Sequence, residues 1–77
     1  MSSDELLLHA FENIGGHLAN LDSVRSIVQE FNGHGHSSDE LIRLLEERME
    51  ETEVTLRTDL RILINEIRHL MRGKFSG

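Results

Sequence analysis

Four arginines recur at helical spacing in the C-terminal half of the chain. Intervals of 4, 7 and 4 residues separate them, which places all four on one face of an α-helix. A guanidinium group is planar and can donate two parallel hydrogen bonds to a carboxylate or a phosphate. The row predicts a solvent-facing surface that binds an anionic partner. Its members are Arg57, Arg61, Arg68 and Arg72.

The charge balance of the chain bears on which anionic partner this row would bind. Fourteen acidic residues outnumber eight basic ones, and the net charge is −6. Binding to nucleic acid relies on an excess of Lys and Arg to neutralise phosphates, so the net charge disfavours it. No aromatic residue accompanies the arginines as a stacking platform for bases. An acidic protein is therefore the expected partner, and nucleic-acid binding is the alternative.

A competing explanation of the row needs no partner. Residues 38–53 hold seven acids and two bases, whereas residues 54–77 hold five bases and two acids. In one helix covering both segments, acids would lie toward the N-terminus and bases toward the C-terminus. That order matches the helix macrodipole, so the charges could simply solvate a long exposed face.

Histidines suggest a second alternative, metal binding. The chain has five histidines, of which His34 and His36 alternate with glycines in one short segment. Glu66 and His69 form a Glu-x-x-His pair, which places both side chains on one helix face. Di-iron bundles need two such pairs and further carboxylates, and this sequence has one true pair. We therefore expect no resident metal or cofactor, and these four residues are the weak candidates.

Enzymatic activity has no support in the sequence. Cysteine is absent, which excludes a thiol nucleophile, a Cys-type zinc site and a disulfide framework. There is no glycine-rich phosphate loop and no strand–turn–helix pattern around any serine. We therefore expect a non-enzymatic protein.

Helix start and stop signals divide the chain into two elements. Ser2 with Glu5 and Ser37 with Glu40 each have the spacing of a capping box, just ahead of an apolar run. The Asn-Gly-His-Gly-His segment between them is typical of a helix stop and a turn. The sequence predicts an all-α, antiparallel two-helix hairpin in a single domain, residues 1–77. Its parts are a helix over about 3–32, a turn over 33–37, a helix over about 38–72 and a short C-terminal tail.

The second helix carries the more regular apolar pattern. Its stripe repeats every eleven residues, about 3.67 residues per turn, which favours a straight or slightly right-handed coiled coil. A continuous helix of this length would extend about 50 Å at 1.5 Å per residue, so the hairpin is expected to be a rod. The stripe consists of Leu41, Leu45, Met49, Thr52, Leu56, Leu60, Leu63, Ile67 and Met71.

The first helix has an apolar face of its own and one weak point. Two adjacent glycines, Gly15 and Gly16, cost about 2 kcal/mol relative to alanines inside a helix. Asn20 and Asp22 are residue types that could cap a restarted helix. A kink or break between Gly15 and Asp22 is therefore a second possibility beside a continuous helix.

The apolar face of the second helix spreads over about half of its circumference, wider than one partner helix can cover. This width predicts self-association, most simply a homodimer in which two hairpins form a four-helix bundle. Arg48 and Asp59 fall at the edges of the stripe, where they could form interface salt bridges or reach water. The predicted interface residues are Phe11, Leu18, Leu56, Leu60, Leu63, Ile67 and Met71.

No apolar run approaches the length of about 18–20 residues that spans a bilayer, and the acidic N-terminus does not resemble a secretory signal. We expect a cytoplasmic protein with no membrane association. The function that the sequence favours is a homo-oligomeric protein-interaction module, such as a small regulator, an inhibitor or an assembly factor.

Overall fold

A computed structural model describes the backbone of residues 3–76 and the side chains of residues 5–72. This part of the chain contains α-helices and one 3-10 turn, and no strand, which confirms the all-helical fold. Four α-helices are present where the sequence predicts two. They are α1 (Ser3–Ile14), α2 (Leu21–Phe31), α3 (Ser38–Glu50) and α4 (Val54–Ser76), and the 3-10 turn Gly15–His17 follows α1.

The first interruption lies where the glycine pair predicts one. After the 3-10 turn, Leu18 adopts an extended backbone with φ −93° and ψ 135°, and α2 begins three residues later. Asn20 occupies the N-cap position of α2, but its side chain makes no capping hydrogen bond. Of the two alternatives for the first helix, the structure shows the break.

The turn between α2 and α3 has the features that its sequence predicts. Gly33 has φ +86° and Gly35 has φ +68°, and residues with a Cβ rarely adopt this backbone conformation. Ser37 then caps α3, because its Oγ accepts a hydrogen bond from the backbone N–H of Glu40 at 3.2 Å. The other predicted cap, Ser2, lies outside the described residues.

The second interruption separates α3 from α4, so the expectation of one uninterrupted helix over residues 38–72 is wrong. The carbonyl groups at this break receive hydrogen bonds from nearby side chains. Thr52 Oγ1 donates to the Met49 carbonyl at 2.9 Å. Arg57 donates from Nε to the Met49 carbonyl at 3.2 Å and from Nη2 to the Thr52 carbonyl at 3.3 Å. The last helix then continues to Ser76, four residues beyond the predicted end.

Because the chain folds back at this break, the molecule is not the expected rod. Its principal extents are 35 × 24 × 17 Å, and α4 packs against α1, α2 and α3. The apolar stripes of all four helices meet in one core. Its largest fully buried side chains are Leu7, Val24, Val28, Leu41, Leu45, Leu60, Leu63 and Ile67.

No helix in the described part of the chain combines the length and the apolar character needed to cross a membrane.

Candidate protein-binding surface

The four arginines of the predicted row do not share one environment. Arg57 is half-buried, and its guanidinium group is committed to two carbonyl groups at the break between α3 and α4. Hydrogen bonds from a charged donor to the last carbonyls of a helix stabilise the helix end. The structure therefore places Arg57 in a structural role, although the spacing assigns it to the binding row.

The other three arginines lie exposed on α4 and are called the arginine face below: Arg61, Arg68 and Arg72. Arg68 Nη2 lies 3.2 Å from Glu46 Oε2 of α3, with both side chains about half exposed. Within residues 5–72, Arg61 and Arg72 have no ion-pair partner. Two of the three guanidinium groups on this face are therefore available to an external partner.

No carboxylate of α4 is available to neutralise the arginine face. Between residues 54 and 72 the acids are Asp59 and Glu66. Asp59 is buried, 3% exposed, and accepts hydrogen bonds from the backbone N–H groups of Ala19 and Asn20 at 3.2 and 2.6 Å. Glu66 is half-buried, and its Oε2 accepts a hydrogen bond from Asn13 of α1 at 3.1 Å. Both acids are thus engaged in packing the N-terminal part of the chain against α4.

The break between α3 and α4 limits the macrodipole explanation of the charge order to part of the charges. Glu46, Glu47 and Glu50 lie in the C-terminal half of α3, where the helix macrodipole already places negative charge. Arg57 lies in the first turn of α4, which contains no acidic residue. The dipole therefore opposes these residues, whereas Asp39 and Glu40 in the first turn of α3 and Arg72 near the C-terminal end of α4 match the dipole of their own helix.

The predicted oligomer interface falls largely inside the chain's own core. Leu60, Leu63 and Ile67 are 0% exposed and are covered by the other helices of the same chain. The stripe is as wide as the sequence indicates, but three further helices cover it within one molecule. The remaining predicted interface residues are half-buried and pack against the core: Phe11, Leu18, Leu56 and Met71.

The two charged residues at the edge of the stripe also have partners within the chain. Arg48 donates two hydrogen bonds to the carboxylate of Glu30 in α2, at 2.7 and 2.8 Å. Asp59 binds the backbone N–H groups between the 3-10 turn and α2, as described above. Neither residue needs a second chain to satisfy its charge, so the structure gives no support to an interface salt bridge at either position.

The histidine candidates for a metal site lie in separate places. The His34 and His36 rings have centroids 5.8 Å apart, and His36 Nδ1 lies 2.7 Å from Glu40 Oε1. His69 is exposed on α4, and Glu66 binds Asn13 instead. Among the residues with described side chains, no three potential ligands come together as a metal site would require.

A notch between α2 and α3 is a feature that the sequence pattern does not predict. It has a volume of about 160 Å³ and is lined by Phe31, Leu44, Glu47, Arg48 and Glu51, and it is called the acidic notch below. Phe31 comes from α2, three residues come from α3 and Glu51 caps the end of α3, so no single helical pattern reveals the notch. The one available signal is Leu44, an apolar residue beside the stripe that the notch leaves half exposed.

Comparisons with known proteins add no functional information: no family model matches the chain, and no curated protein or solved structure matches it.

Proposed function

We propose that this chain is a non-enzymatic protein-interaction module that binds an acidic protein segment through the arginine face. One observation carries the proposal: Arg61 and Arg72 are exposed on α4 without an ion-pair partner among the residues whose side chains are described. An arginine offers a planar donor pair that suits a carboxylate. A small regulator, inhibitor or assembly factor would use such a surface.

The spacing of these two arginines suits an elongated partner. Eleven residues are three turns of helix, so Arg61 and Arg72 lie on the same side of α4. At 1.5 Å per residue, they are about 16 Å apart along the helix axis. An acidic helix, or an extended acidic segment, could place one carboxylate at each arginine.

An acidic protein is favoured over a nucleic acid by charge. The chain has a net charge of −6, and a phosphate backbone would be repelled by the remaining acidic surface. A protein partner can be acidic in one short segment only, whereas a nucleic acid is charged along its whole length. The repulsion between this partner and the acidic surface of the chain is therefore smaller than for a nucleic acid.

Fluorescence anisotropy tests the proposal with two probes, a labelled polyglutamate peptide and a labelled single-stranded RNA of similar length. We expect the polyglutamate to bind more tightly than the RNA. The double variant Arg61→Glu/Arg72→Glu should weaken polyglutamate binding by about tenfold or more, because two attractive contacts become repulsive. Binding should also weaken as salt is raised.

Arg43→Glu provides the matched control. Arg43 is exposed on α3 and, within the described side chains, has no ion-pair partner. Its reversal should change polyglutamate binding by less than the same reversal at Arg61. Equal losses at the two positions, or tighter binding to RNA than to polyglutamate, would contradict the proposal. The second result would favour the nucleic-acid alternative.

A further inference from the structure

The acidic notch carries two carboxylates that the fold does not use. Glu47 and Glu51 are exposed and four residues apart; Glu47 lies in the last turn of α3, and Glu51 is the C-cap residue of that helix. Across residues 5–72, neither has an ion-pair partner. Like charges at this spacing destabilise a helix, and the negative end of the macrodipole adds to the effect. A cation bound between them would relieve both.

The charge of the notch is negative although Arg48 also lines it. The guanidinium group of Arg48 makes two hydrogen bonds to Glu30, at 2.7 and 2.8 Å, so its charge is matched within the chain. Arg57 is bound to the Met49 and Thr52 carbonyl groups at the break after α3, and Arg43, four residues before Glu47, does not line the notch. Glu47 and Glu51 therefore set the charge that an incoming side chain meets.

The remaining lining of the notch suits the rest of an arginine side chain. Phe31 and Leu44 are apolar and half exposed. The methylene groups of an arginine could cover Leu44, and its guanidinium group could lie over the ring of Phe31, a contact that favours a cation. Carboxylates beside an apolar surface are the complement of an arginine.

We infer that a second copy of this chain is the partner, and that an arginine of its arginine face enters the acidic notch. This inference rests on the proposed function, since it identifies the acidic segment as α3 of the second copy. The argument is charge complementarity within one sequence. In each copy, two arginines of the arginine face and two carboxylates of the acidic notch have no ion-pair partner among the described residues.

The same pairing already occurs inside the chain. Arg68 of α4 lies 3.2 Å from Glu46 of α3, so one arginine–glutamate pair already joins these two helices. Two copies related by a two-fold axis can each give one arginine and receive one, which closes a dimer with two equivalent contacts. The net charge of −6 on each copy opposes association. At physiological salt, however, the electrostatic repulsion is screened over a Debye length of about 8 Å.

Sedimentation equilibrium of the full chain tests the inference, with a monomer mass of 8.8 kDa as the reference. The wild-type chain should form a dimer. The variants Glu47→Arg/Glu51→Arg and Arg61→Glu/Arg72→Glu should each raise the dimer dissociation constant by about tenfold or more. An equimolar mixture of the two variants should restore association as a heterodimer. One contact in it is the wild-type pair of arginine face and acidic notch, and the other pairs the introduced glutamates with the introduced arginines.

A control of equal net charge separates local pairing from general attraction. Glu12→Arg/Asp22→Arg changes the net charge by the same amount as the notch variant, but at exposed positions of α1 and α2. This control should keep the wild-type dimer and should not associate more tightly than wild type with Arg61→Glu/Arg72→Glu. Far-ultraviolet circular dichroism of every variant verifies that the helices are retained.

The outcomes distinguish this inference from the proposed function. A wild-type chain that stays monomeric up to about 1 mM, a concentration that detects even millimolar affinity, overturns the second-copy partner. Binding to polyglutamate would still support the arginine face in that case. A dimer that neither charge variant weakens, or a mixture that stays monomeric, also overturns the inference. A dimer that the notch variant weakens but Arg61→Glu/Arg72→Glu does not would contradict the arginine face, and with it both the inference and the proposed function.

Discussion

The two interruptions of the helices are held by different kinds of contact. Between α1 and α2, the backbone N–H groups of Ala19 and Asn20 bind Asp59, which lies 40 and 39 residues away in sequence. Between α3 and α4, the carbonyl groups of Met49 and Thr52 bind Arg57 and Thr52 side chains that are at most eight residues away. The first break depends on the packing of α4, whereas the second is supported by its own neighbours.

Burial separates the two breaks as well. Asp59 is 3% exposed, and loss of its carboxylate leaves two part-buried backbone donors without this acceptor. Arg57 is half-buried, and water can replace part of what its guanidinium group supplies. The energetic cost of an unmatched polar group grows with burial. We therefore expect the first break to be the more sensitive of the two to mutation.

Asp59→Ala should have the largest effect. Two hydrogen bonds to a charged acceptor are lost and their donors stay partly buried, so the free energy of unfolding should fall by about 3 kcal/mol. Urea denaturation followed by circular dichroism measures this loss. Asp59→Asn keeps one acceptor oxygen, so its free energy of unfolding should lie between those of Asp59→Ala and wild type. An unchanged urea midpoint for Asp59→Ala would contradict the assigned role of the carboxylate.

Arg57→Ala should lower the free energy of unfolding by about 1.5 kcal/mol, because the Met49 and Thr52 carbonyl groups at the break between α3 and α4 lose a charged donor. Arg61→Ala is the matched control, four residues further along the same helix and exposed. It should change the free energy by less than about 0.5 kcal/mol. Equal effects of the two substitutions in the same urea experiment would contradict the structural role of Arg57 at the break.

Glycine substitutions should give the smallest effects and opposite signs. Gly33 has φ +86°, so Gly33→Ala should destabilise the chain by about 1 kcal/mol. Gly16 does not have a positive φ, and a Cβ there would meet nothing within 4 Å. Gly16→Ala should therefore stabilise it by about 0.5 kcal/mol, by restricting the unfolded chain.

Thermal melts of the two glycine variants show whether each substitution raises or lowers the stability of the chain. A Gly16→Ala variant that melts below wild type would mean that the first break needs the freedom of glycine. The expected result would instead show that the first break does not need a glycine at position 16.

Local signals in the sequence predict much of the fold. The Ser37 cap, the glycine turn and the weak point at Gly15 each depend on residues close in sequence, and the structure has all three. The break after Glu50 could not be predicted in this way, because the apolar spacing continues across it without a glycine or proline. Thr52, the one polar residue in that stripe, is the only local sign of it.

The candidate surface was predictable in part. Helical spacing alone places Arg61, Arg68 and Arg72 together, and they are exposed as expected. The same spacing includes Arg57, because a helical wheel assumes continuous surroundings and cannot show that a helix end lies within reach of a side chain. The acidic notch could not be found from sequence, since it requires Phe31 of α2 to lie beside α3.

The long-range contact of Asp59 also has a consequence for the order in which the chain folds. The N–H groups of Ala19 and Asn20 gain their acceptor only when a loop of about 40 residues has closed and α4 has docked. We expect hydrogen exchange at these two amides to require opening of the whole molecule. The Glu51 and Thr52 amides, bonded three residues back at 3.1 and 3.3 Å, can exchange through local fraying. Hydrogen exchange at the break between α1 and α2 would thus measure the global stability of the fold. Exchange at the break between α3 and α4 would measure only its local opening.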